Sequence, residues 1–103
     1  MSFAEFRESV SRDPAPPAHA GLALRALWYD ARGDWERAHG YAQEDESRDG
    51  SWVHAYLHRK EGDLGNAGYW YRRAGSSLPE KSITLGEEWA AIVRELLGES
   101  RSG

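Results

Sequence analysis

His54 and His58 stand four residues apart, with Glu61 close to one turn further on. On a helix, that spacing aims both imidazoles the same way, an arrangement able to hold a divalent metal. No motif defines a third ligand, and the Glu-containing zincin signature is missing. The expectation is therefore a pair that lines a hairpin surface and hydrogen-bonds locally, with no metal and no cofactor assigned. A second constellation is Tyr69-Trp70-Tyr71. At about 100° per residue, three consecutive aromatics sweep ~200° of a helix, so one buried stripe cannot hold them all. Tyr71 takes the core position, and Trp70 and Tyr69 are expected to be covered internally by Trp89 and Ile92. If they are uncovered, they form an interaction patch. The third constellation is cationic: Arg59, Lys60, Arg72 and Arg73. Arg59 and Arg72 can converge on a carboxylate or phosphate, against the plainer expectation of a solvated face paired with Glu61, Asp63 and Glu80.

Catalytic signatures are missing. There is no Gly-rich phosphate loop, nucleophile elbow or dinucleotide fingerprint. Of the four histidines, His39 lies four residues after Trp35, where helix packing accounts for it. Neither Cys nor a ~20-residue apolar run occurs. That removes disulfides, thiolate metal sites and a membrane span from consideration. The N-terminus Met1-Ser2-Phe3-Ala4-Glu5-Phe6 does not read as a signal peptide, so a cytosolic location is expected. The net charge is −4, with 6 Lys/Arg against 10 Asp/Glu in residues 1–50 and 7 against 7 in residues 51–103. No basic face for nucleic acid follows from such a balance.

The elements that must position these residues are helical. Ser2 and Glu5 form a capping box for a helix to about Ser11, carrying Phe3, Phe6 and Val10. Pro14, Pro16 and Pro17 stop it. Leu24, Leu27, Trp28 and Ala31 form one apolar stripe between Gly21 and Arg32. Gly33 then ends that helix and Asp34 caps the next, which shows Trp35, Ala38 and Ala42 and runs to Glu44-Asp45-Glu46. Asp49 opens a helix through Glu61 with Val53, Tyr56 and Leu57 inward. Gly62-Asp63 repeats the corner, and Leu64, Ala67, Gly68, Tyr71 and Ala74 follow at helical spacing up to Gly75. Thr84 and Glu87 form a second capping box, opening a helix to Leu97 with the stripe Trp89, Ile92, Val93 and Leu96.

Part of the chain is written twice, 29 residues apart. Gly33-Asp34-Trp35-Glu36-Arg37-Ala38 returns as Gly62-Asp63-Leu64-Gly65-Asn66-Ala67. With Tyr71, Ala74 and Pro79 after the second corner, and the run Tyr69-Trp70-Tyr71-Arg72-Arg73-Ala74, residues 21–79 resemble a tetratricopeptide-type or Sel1-like helical repeat. The first copy departs from that pattern, carrying Ala42, Asp45 and Gly50 at the corresponding places.

The resemblance implies an all-α domain of two stacked hairpins. Residues 1–20 form the N-terminal helix and Pro-rich segment, 21–46 and 49–75 the two hairpins, and 84–98 a helix sealing the open end. It also implies a non-catalytic scaffold that binds a protein or peptide through the first helix of each hairpin. Arg25, Tyr29, His54, His58 and Arg59 are the expected contacts, joined by Trp70 and Arg72. Two alternatives stand beside it: a small-ligand or metal-binding protein using the His54/His58 face, and a self-assembling subunit such as a homodimer.

Overall fold

A computed structural model describes residues 1–99. It contains six α-helices in the order α1 (Phe3–Arg12), α2 (Leu22–Ala31), α3 (Trp35–Glu44), α4 (Arg48–Glu61), α5 (Leu64–Arg73) and α6 (Leu85–Leu97). No strand occurs among the described residues, so the domain is all-α. Helices α2 and α3 pair as one hairpin and α4 and α5 as another; the two hairpins meet through α2, α3 and α4.

The duplicated corner recurs bond for bond. Gly33 and Gly62 take φ of 83° and 92°, a left-handed backbone that glycine alone adopts without a Cβ penalty. The next amide closes each helix by bonding five residues back, Asp34 to the Tyr29 carbonyl and Asp63 to that of His58, both at 2.9 Å. Each aspartate then caps the following helix, Asp34 accepting from the Arg37 amide at 3.1 Å and Asp63 from Asn66 at 3.2 Å. Both capping boxes expected at Ser2/Glu5 and Thr84/Glu87 are formed. One cap differs from expectation: Ser47, not Asp49, caps α4, because its hydroxyl is the group that reaches the Gly50 amide. Gly50 is also sterically required. A Cβ there would stand 2.0 Å from the Asp45 carbonyl oxygen, so α3 can turn into α4 only past a bare backbone.

The core follows the stripes with local rotations. Phe6, Leu27, Trp28, Val53, Leu57, Tyr71, Ile92 and Val93 are buried, and Ala38, Ala42, Ala55 and Ala67 let the hairpin helices approach closely. Ala31, expected inward, is exposed on the last turn of α2; Ala23 and Ala26 are buried in the helix's core stripe beside Leu27 and Trp28. Leu64, also expected inward, is 51% exposed; the neighbouring Gly65 and Asn66 are exposed too, and burial on α5 starts at Ala67. Tryptophan N–H groups tie the layers together: Trp28 donates to Ser9 Oγ at 3.1 Å, Trp35 to the Leu57 carbonyl at 3.0 Å, and Trp89 to the Leu27 carbonyl at 2.9 Å. A buried indole N–H left unpaired would be costly, and each of these is satisfied.

Helix α6 lies against α1, α2 and α4 rather than along α5. Trp89 is the reason. Its ring packs beside Phe3 and Phe6, at centroid distances of 6.0 and 6.1 Å, while its N–H holds α2. Consequently α1 and α6 cover the side of the hairpins formed by their first helices.

Candidate functional site

Three histidines meet where α3 faces α4. Positions 54 and 58 fall on one side of α4, as the four-residue spacing dictates. His39, one turn after Trp35 on α3, joins them from the facing helix. The Nε2 atoms of His39 and His54 are 2.9 Å apart and share a hydrogen bond. His58 Nδ1 lies 3.1 Å from Glu61 Oε1, at the C-terminal end of the same helix. One donor atom from each imidazole falls within 4.8 Å of the others. His54 and His58 are only 4% and 7% exposed, whereas His39 is half-buried.

Aromatic walls hold the rings in place. His39 stacks on Trp35 at 4.9 Å and His54 on Trp70 at 4.0 Å, and the edge of Trp35 also meets His58. Burial, and then the neighbouring imidazoles, hold His54 down at about 4; burial and then repulsion from the neighbouring His58 ring lower His39 as well, with Glu61 opposing. Those two rings are neutral at pH 7.

The cover of the Tyr69-Trp70-Tyr71 run therefore differs from expectation. Trp70 is covered by His54, not by Trp89 or Ile92, because α6 sits on the other side of α4. Tyr69 meets Trp70 edge to face, accepts from Arg73 Nη1 at 3.5 Å, and remains 46% exposed. Tyr71 is buried, as its core position requires.

The other side of α4 carries charge. Glu88, 5% exposed on α6, accepts from Arg59 Nη1 at 2.8 Å and from the Tyr71 hydroxyl at 2.6 Å. Arg59 Nη2 also donates to the Ile83 carbonyl. Asp30, 3% exposed on α2, accepts from the Tyr56 hydroxyl and from Lys60 Nζ, both at 2.8 Å. Burial above all, reinforced by the adjacent carboxylates, raises both tyrosines and keeps them protonated as donors. Arg59 thus does converge on a carboxylate, but on Glu88 rather than Glu61, Asp63 or Glu80, and Arg72 does not join it. Arg72 is exposed on α5. Tyr29 stacks on Tyr41 of α3 at 5.6 Å beneath Arg37, and Arg25 is half-buried on α2. The structure gathers His54, His58 and Trp70 in one cluster, and leaves Arg25, Tyr29, Arg59 and Arg72 in separate places.

Above the Asp30–Lys60 pair lies an open groove of about 740 Å³ between α1 and α6. Phe3, Val10, Leu85 and Trp89 give it apolar walls, with Arg7 and Glu8 also lining it. Neither the groove nor the role of His39 follows from local spacing. The available signal for His39 was its place on the Trp35–Ala42 stripe, the one that faces the next hairpin.

No protein-family model, curated protein or solved structure matches this chain.

Proposed function

We propose that the protein is a non-catalytic binding module built from tetratricopeptide-like hairpins, and that it takes apolar side chains of a protein or peptide into the groove between α1 and α6. The observation that supports this reading is the groove itself. Its volume of about 740 Å³ falls within the ~300–1,000 Å³ typical of ligand sites, and its walls are aromatic and aliphatic. The internal ion pairs point the same way. Arg59 and Glu88, and Asp30 and Lys60, are engaged with one another and with tyrosines, so they act as scaffold, and Asp30, Tyr56 and Lys60 also line the groove beneath its apolar walls. Recognition then rests on shape and on burial of one or two large side chains, the usual pattern of anchor residues in a protein interface.

Peptide selection from a random library, followed by titration into isotope-labelled protein, tests this reading. Amide shifts should concentrate on α1, the first turns of α6 and the end of α2. Gly86 lines the groove, and a Cβ added there meets nothing within 4 Å, so Gly86→Trp fills the groove without disturbing the fold. Selected peptides should lose binding to this variant while its melting curve stays close to that of the parent. Equal binding to parent and Gly86→Trp would refute the groove as the docking site.

A further inference from the structure

We infer that His39, His54 and His58 form a binding site for a late first-row divalent metal ion, with zinc as the natural occupant, and that Glu61 orients His58 from outside the coordination shell. The inference rests on geometry that no packing requirement explains. Hydrophobic stacking needs rings in contact, but it does not need three imidazoles from two helices to bring ring nitrogens close together. Here one donor atom of each lies within 4.8 Å of the others. Two nitrogens bound to one tetrahedral zinc at ~2.0–2.1 Å stand about 3.3 Å apart. The His39–His54 Nε2 separation is 2.9 Å, so admitting the ion takes a few tenths of an ångström of opening and a turn of both rings off the line of their shared hydrogen bond.

Glu61 supplies the second feature of such a site. Its carboxylate accepts from Nδ1 of His58 at 3.1 Å. A neutral imidazole that donates from Nδ1 has its lone pair on Nε2, and a carboxylate behind the ring raises its basicity. The stacked indoles of Trp35 and Trp70 fix the other two rings, which lowers the ordering cost of coordination. In the metal-free protein one Nε2 of the His39/His54 pair carries the shared proton. Coordination needs both Nε2 lone pairs, so that ring takes its proton on Nδ1 instead, by exchange with water. The half-buried edge of His39 gives an entry path, and three neutral imidazoles leave a fourth position for water.

Equilibrium dialysis of the tag-free chain against zinc chloride tests this. One equivalent should bind, and the melting temperature should rise with zinc, because the ion binds only the folded arrangement. Glu61 is exposed, so Glu61→Gln keeps the fold; it should weaken binding about 10–100-fold. His39→Gln should weaken it further, and His19→Gln, which alters an exposed histidine outside the cluster, should leave it unchanged. If a histidine variant fails to fold, cobalt added to the parent protein still decides: a four-coordinate site gives intense visible absorption. No uptake at millimolar zinc, a weak six-coordinate cobalt spectrum, or binding abolished by His19→Gln but not by His39→Gln would each overturn the inference.

Discussion

Helix α4 buries polar side chains on two sides, and it does so by opposite means. His54 and Tyr56 are two residues apart, ~200° around the helix. On the Tyr56 side, carboxylates are buried and compensated: Asp30 by the exposed Lys60, and Glu88 by Arg59, with a tyrosine hydroxyl completing each carboxylate. On the His54 side, two of the three clustered imidazoles stay uncharged by burial and mutual repulsion and satisfy one another through a nitrogen-to-nitrogen bond. The first arrangement is saturated, with every carboxylate oxygen engaged. The second keeps lone pairs that a metal can use. One helix thus serves as a scaffold on one side and as a candidate site on the other.

Removing one member of the saturated side should have the largest effect. Glu88→Ala leaves Arg59 buried without its carboxylate and Tyr71 without an acceptor, at a cost of about 3–5 kcal/mol in urea unfolding. A loss below about 1 kcal/mol would mean the pair is solvated and the comparison fails. Next comes the seam between α4 and α5, where Ala67 is fully buried against Ala55 and Tyr71. Ala67→Leu should overpack it by ~1–3 kcal/mol, measured in the same way.

The pH dependence addresses the histidine side. His54 titrates at about 4 in the folded chain against 6.5 in the unfolded one, and His39 is lowered too. Below pH 6.5 the unfolded state therefore binds more protons. Stability contributed by the neutral rings is complete above pH 6.5 and is lost as pH falls toward 4. Unfolding between those limits should take up about one to two protons, read from the slope of stability against pH. His39→Gln should flatten that slope; an unchanged slope would place the titration elsewhere.

A smaller effect tests the corner that ends both sides. Gly62 holds φ of 92°, so Gly62→Ala should cost about 1 kcal/mol in thermal or urea unfolding. Smallest of all, Glu61→Gln should change stability by less than ~0.5 kcal/mol, since Glu61 sits at an exposed helix end. Its effect on zinc binding is then separable from any effect on folding.

What was legible in the chain divides along similar lines. The corners could be read because their chemistry is local: a glycine that must take positive φ, then an aspartate whose carboxylate reaches three residues on. The capping boxes at Ser2 and Thr84 are local for the same reason. The placement of α6 is not local. Its stripe of Trp89, Ile92 and Val93 suits either face of the hairpin layer, and the Trp89 bond to the Leu27 carbonyl, 62 residues away, selects one. The pairing of Arg59 with Glu88 spans 29 residues and depends on that choice. His54 and His58 were visible through their spacing. His39 was hidden because its stack on Trp35 accounts for it equally well until α4 is set opposite.

The most direct test is nitrogen-15 NMR of the imidazole rings at pH 7, recorded without and with one equivalent of zinc. Without metal, His54 should be neutral, and one ring of the His39/His54 pair should carry its proton on Nε2. With zinc, His39, His54 and His58 should all shift to the Nδ1-protonated, Nε2-bound form while His19 stays as it was. Three cluster rings unchanged by zinc, or a response confined to His19, would contradict the account.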